Sequence, residues 1–133
     1  MNPSSKTIDE LVKKAQEARA HSYSPYSRFK VGAAIRTKSG KVYRGCNIEN
    51  CSYGLTVCAE RVAVYNAVSD GETDFEALAV FTEAKDLTPP CGACRQVLSE
   101  FSKDLVIILA NPGKQKELKL SELLPMPFNK QSF

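Results

Sequence analysis

Three cysteines and one glutamate carry the chemistry available to this sequence. Cys58 and Glu60 stand in Cys58-Ala59-Glu60-Arg61, and the other two thiols in Pro89-Pro90-Cys91-Gly92-Ala93-Cys94. The gap of two residues between Cys91 and Cys94 lets neighbouring thiolates share one metal ion, while Cys58 can bring a third sulfur from a distant segment. Three protein ligands leave one tetrahedral position for water or substrate, which is the pattern of catalytic zinc. Glu60, two residues beyond a ligand, can reach that position without being a ligand, take a proton from water and pass it on. Arg61 is placed to donate to a ligand sulfur and offset thiolate charge, with Arg95 a weaker candidate after Cys94. Hydrolysis with a proton shuttle is the chemistry these residue types suit.

On these residues alone two other readings stay open. A Cys-x-x-Cys at a helix start is also the pattern of a redox pair, because the helix N-terminus lowers the first thiol's pKa. A structural zinc site could draw a fourth ligand from His21, Cys46 or Cys51, although none stands at a usual paired spacing. Cys46 and Cys51 read more simply as small, half-buried thiols.

The ligand segments need rigid elements to deliver them. Cys58 to Asp70 reads as a helix with Ala59, Val62, Ala63, Asn66 and Ala67 on one face and Gly71 placed to stop it. Another helix starts near Cys91, with Cys94, Val97, Leu98 and Phe101 at i, i+3, i+4 and i+7. Both ligand segments therefore lie at helix starts, where unpaired N–H groups and the positive end of the macrodipole favour thiolate. Upstream, Thr7 with Glu10 fits a capping box after a loose lead-in over residues 1–6, and Ile8, Leu11, Val12, Ala15 and Ala18 mark an amphipathic helix. Pro25 makes Ser22 to Ser27 irregular. From Phe29 the pattern alternates, with Phe29, Val31, Ala33 and Ile35 on one side of a strand, and Ser39-Gly40 turns it into a return strand over residues 41–46. Phe75 to Phe81 is a third strand, and Leu105 to Ala110, apolar on both faces, a central one. Lys116 to Leu120 fits a short edge strand, and Ser121 to Leu124 a helical turn ended by Pro125. Strand, helix and strand in succession argue for crossover units and a layered α/β architecture.

Composition sets the outer limits. A chain of 133 residues has room for one domain, expected to span 1–133, and 43% apolar against 25% charged residues suits a folded core. Eighteen basic against fifteen acidic residues leave +3 without a long basic run, which argues against nucleic acid. The longest apolar run, Leu105 to Ala110, is too short for a bilayer, and no apolar segment follows Met1 as a secretory signal would. Five cysteines cannot all pair, so metal ligation in a reducing cytoplasm is the expectation.

With Cys58-Ala59-Glu60-Arg61 and Pro90-Cys91-Gly92-Ala93-Cys94-Arg95-Gln96 in view, the chain resembles the zinc-dependent cytidine deaminases, specifically their small tetrameric, three-cysteine branch. The resemblance runs from about Tyr23 to Phe128 and takes in Tyr23-Ser24-Pro25-Tyr26-Ser27 and Phe29-Lys30-Val31-Gly32-Ala33-Ala34. It implies a three-layer α/β/α sandwich with a mixed five-stranded sheet, and one Zn²⁺ per subunit on Cys58, Cys91 and Cys94. By the same resemblance Glu60 carries protons to N3 of cytosine and then to the leaving amine. Phe29 borders the nucleoside, Asn47 and Glu49 grip the ribose hydroxyls, and the backbone near Ala59 reads the pyrimidine edge together with Glu60. Tyr53 and Phe128 match the aromatic residues by which neighbouring subunits of a homotetramer close the pocket. Without the resemblance, Phe29 would be a core residue of its strand, Asn47 and Glu49 solvated turn residues, and Tyr53 and Phe128 packing within their own subunit. The implied reaction converts cytidine and 2′-deoxycytidine to the uridine products and ammonia, in pyrimidine salvage.

Overall fold

Ser4 opens the first helix. Its hydroxyl accepts from the Thr7 backbone N–H at 3.2 Å, so α1 runs Ser5–Arg19 and both the start expected at Thr7 and the loose lead-in to residue 6 are corrected. Serine caps at least as well as threonine, and with both inside one turn the spacing alone does not choose between them. The structure, a computed structural model, describes residues 2–133.

Strand β1 (Gly32–Thr37) returns as β2 (Val42–Cys46) through Gly40, whose φ of +96° suits glycine. Then come α2 (Ala59–Ser69), β3 (Phe75–Phe81), α3 (Gly92–Phe101), β4 (Val106–Ala110), β5 (Gln115–Lys119) and α4 (Leu120–Leu123). Single 3₁₀ turns at Tyr53–Leu55 and Lys130–Ser132 have no period in the sequence to announce them. The strands lie in the order β2-β1-β3-β4-β5. Only β3 and β4, joined through α3, run parallel, and every other neighbouring pair is antiparallel. This is the expected mixed five-stranded sheet.

Helices cover both faces. Ala34, Ala77, Ala79, Val106 and Ile108 pack against Ile8, Leu11 and Ala15 of α1. Ala33, Ile35, Leu78, Val80, Ile107 and Leu109 pack against Ala59, Ala63, Val64 and Ala67 of α2 and Leu98 of α3. Burying a side chain such as Phe75, Leu98 or Ile107 stabilises the fold by about 1.5–3 kcal/mol each, so α2 and α3 are held firmly while their N-termini stay at the sheet's end. Two glycines let helices approach. A Cβ on Gly45 would lie 2.4 Å from Ala59 O, and one on Gly32 would lie 1.9 Å from Ala15 O.

One strand start and one helix face differ from expectation. The β1 ladder begins at Gly32, opposite Cys46 and Phe81, rather than at Phe29, because Asn47 takes over at residues 29–31: its N–H donates to Val31 O, while its side chain accepts from Val31 N and donates to Phe29 O. Phe29 itself is exposed. On α2 the inward residues are Ala59, Glu60, Ala63, Val64 and Ala67. Asn66 is exposed and donates to Arg44 O at 2.8 Å, a use of its amide at the sheet edge that helical periodicity cannot reveal. No helix among the described residues is long and apolar enough to cross a membrane.

Candidate active site

Cys58 and Cys91 occupy equivalent positions. Each is the extended N-cap residue of a helix, α2 and α3 respectively, and neither start has a side-chain capping bond. Cys94 lies buried in the first turn of α3. The Cys58 and Cys91 sulfurs are 3.7 Å apart, those of Cys91 and Cys94 3.5 Å, and all three lie within 4.8 Å of one another. Tetrahedral zinc with Zn–S bonds of about 2.3 Å requires sulfurs about 3.8 Å apart, so the donor set fits that ion. All five cysteines are free thiols, and no other His, Cys, Asp or Glu among the described residues joins this group. The fourth-ligand reading for His21, Cys46 or Cys51 therefore finds no support, and Cys91 and Cys94 stand with Cys58 rather than as an isolated pair.

The neighbouring charges are arranged for thiolate. Cys58 is pulled down to about 5, first by the Cys94 thiol and then by Arg61, whose Nη2 donates to the Cys58 sulfur at 3.6 Å. Cys94 is pushed far up in return, first by its bond to Cys58 and then by burial. Arg61 keeps its charge firmly beside the Cys58 sulfur, and its Nε is buried without a partner. Glu60 is only 4% exposed, and burial pushes its carboxyl up to about 7.

Arg95 does something else. Its Nε donates to Pro90 O at 2.8 Å and its Nη1 to Leu123 O at 3.0 Å, so it ties the ligand loop to α4 and does not donate to a sulfur. Nothing in the spacing announced that role.

A cleft of ≈ 400 Å³ lies among Tyr26, Ser27, Glu49, Tyr53 and Thr56. Its loops are joined by Tyr23 N to Asn47 O at 3.0 Å, Glu49 N to Tyr23 O at 2.8 Å and the reciprocal pair of Ile48 and Val57, which leads directly into Cys58. Asn47 is buried, its Oδ1 accepting from Val31 N at 3.0 Å and from Ser22 Oγ, its Nδ2 donating to Phe29 O at 2.7 Å. The segment of Phe29 is thus pinned by the Asn47 amide. Tyr53 is 76% exposed and meets Tyr26 edge-on at 5.9 Å. Phe128 is also exposed, held by Gln96 Nε2 on its carbonyl at 2.7 Å and stacked on Phe133, away from the residues that line the cleft.

Three thiolate donors with a buried acid beside them put the chain among zinc-dependent enzymes. Residues 5–110 match the model of the cytidine and deoxycytidylate deaminase zinc-binding region, and the chain belongs to that family. One zinc ion per subunit is its cofactor, and Cys58, Cys91 and Cys94 are the cluster that fits it. A cytidine deaminase from Halalkalibacterium halodurans is 52% identical over 120 residues, covering 89% of this chain and 91% of its own. The crystal structure of cytidine deaminase from Burkholderia pseudomallei superposes with a TM-score of 0.87 at 45% identity, covering 90% of this chain and 98% of that one. A blasticidin-S deaminase from Bacillus cereus is 33% identical over 129 residues, 91% of each chain.

Proposed function

We propose that the chain, as one domain over residues 1–133, hydrolyses cytidine and 2′-deoxycytidine to uridine and 2′-deoxyuridine with release of ammonia, in cytoplasmic pyrimidine salvage. The observation that carries this reading is Glu60, a carboxyl buried beside three clustered thiols, where burial raises its hold on a proton and suits it to accept and return one. Zinc held by Cys58, Cys91 and Cys94 supplies Lewis acidity that lowers the pKa of water. Glu60 accepts one proton from the attacking water and delivers it to N3, then takes the second from the new C4 hydroxyl and passes it to the departing amine. A C4–O bond forms, the C4–N bond breaks, and ammonia leaves. Arg61, donating to the Cys58 sulfur, offsets thiolate charge that would otherwise weaken the site as a Lewis acid.

Recognition falls to the start of α2 and to the loops beside it. The Ala59 backbone and Glu60 read the pyrimidine edge, and Phe29 borders the base. Asn47 keeps one amide N–H beyond those already engaged, and Glu49 faces the cleft as a carboxylate. Both suit vicinal hydroxyls of ribose. Tyr53 and Phe128, exposed in the single chain, close the pockets of neighbouring subunits in a homotetramer. The B. cereus relative supports a second reading, deamination of an aminonucleoside antibiotic. Loss of the ring amine changes ultraviolet absorbance, so zinc-loaded protein is assayed with cytidine, 2′-deoxycytidine and blasticidin S. Turnover of both cytosine nucleosides is expected. Absence of that turnover removes the leading reading, and turnover of blasticidin S alone replaces it with the second.

A further inference from the structure

We infer that Ser27 is a positioning residue that sets the sugar selectivity of the cleft, by aiming Glu49. The inference rests on the nucleoside reading above and concerns a residue with no role in the zinc chemistry. Glu49 is tied to the 26–27 turn by three donors. Its Oε1 accepts from the backbone N–H groups of Tyr26 at 2.9 Å and Ser27 at 3.1 Å, and its Oε2 accepts from Ser27 Oγ. A carboxylate offers about four lone-pair sites, so one acceptor is left, on Oε2. That oxygen is held by the Ser27 hydroxyl, and the carboxylate lines the cleft with Tyr26, Tyr53 and Thr56.

The same hydroxyl oxygen accepts from Phe29 N at 3.0 Å. One side chain thereby fixes the direction of the remaining acceptor and the backbone of the aromatic residue beside it. The turn is itself closed by Arg28 N on Ser24 O at 2.9 Å, with Arg28 at a φ of +59°, a conformation most residues avoid. The chain accepts this conformation where it presents Ser27 between Glu49 and Phe29. Bonding by the Ser27 hydroxyl also holds the Glu49 carboxyl below its usual range.

Such a residue acts on hydroxyl recognition and leaves the proton shuttle alone. Ser27→Ala is therefore expected to raise KM for cytidine by about 10- to 150-fold, the range for losing a charge-assisted hydrogen bond, with kcat held within about twofold. For 2′,3′-dideoxycytidine, which lacks the 2′ and 3′ hydroxyls that Glu49 would accept from, only the part of the loss that passes through Phe29 remains, so kcat/KM is expected to fall clearly less than for cytidine. Ser27→Thr, which keeps the hydroxyl, restores KM, and Ser27→Ala costs less in a Glu49→Gln background than in the wild type. Should the alanine variant fold poorly, Ser27→Cys, of similar size but a weaker donor, carries the same comparison. An unchanged KM for cytidine, or equal losses on both nucleosides, overturns the assignment. Inactivity of the unmodified zinc enzyme on cytidine would instead remove the underlying reading.

Discussion

Glu60 is where function and stability part. Replacing it with Gln is expected to lower kcat by about 10²- to 10⁴-fold, the usual contribution of a general acid–base group, while zinc content stays at one ion per chain. Loss of metal in that variant would mean that Glu60 is a ligand. Its burial adds a pH signature. In the metal-free protein the folded carboxyl titrates at about 7 and an exposed glutamate at about 4.3. A raised acid pKa gives stability that is fully present below the unfolded value and lost as pH rises through the folded one. Chelator-treated wild type and Glu60→Gln should therefore be equally stable near pH 4, with the wild type weaker by on the order of 3 kcal/mol at pH 8. Urea titrations at both values check this; equal midpoints at both would sink it. At this scale the sequence was legible wherever neighbours in the chain are neighbours in space, as for Cys58, Glu60 and Arg61. Arg95 bonding Leu123 and Ser27 bonding Glu49 were not, because folding alone brings together partners 28 and 22 residues apart.

Elements carry the ligands, and glycine sets how closely they can approach. Gly45 of β2 sits under the first turn of α2, where a Cβ would meet both Ala59 O and Ala63 N at 2.4 Å. Gly32 makes a comparable contact with α1, which carries no ligand. Each glycine-to-alanine change should cost about 1–3 kcal/mol by overpacking, yet only Gly45→Ala should also move Cys58 and lower bound zinc. Denaturation midpoints and metal stoichiometry measured together decide it, and full zinc in Gly45→Ala would show that α2 can tilt without disturbing the site. Apolar periodicity revealed β3, β4 and α3 because each buries residues at a regular interval. It misjudged the start of β1 and the inner face of α2, where an Asn47 amide replaces a strand neighbour and a buried acid takes a place usually held by an apolar side chain.

On the scale of the whole molecule, the cleft loops display Tyr23, Tyr26, Phe29, Ile48, Tyr53 and Leu55 to solvent. A concentration of exposed apolar side chains of this kind marks an association surface, in keeping with the proposed tetramer. Tyr53→Ala is expected to shift intact-complex mass toward smaller species and raise KM for cytidine, whereas a fully active monomer would exclude shared pockets. The bare starts of α2 and α3 have a further consequence. Both helices leave their first amide hydrogens without a side-chain acceptor, and the sulfurs that stand there are 33 residues apart in the chain. The ion thus acts as a clasp between two otherwise separate helical ends, so its removal should register as simultaneous local fraying. After chelation, deuterium uptake should quicken at residues 59–62 and 92–95 together while the amides of β3 and β4 stay protected; uniform acceleration through the sheet would mean that the metal supports the entire molecule.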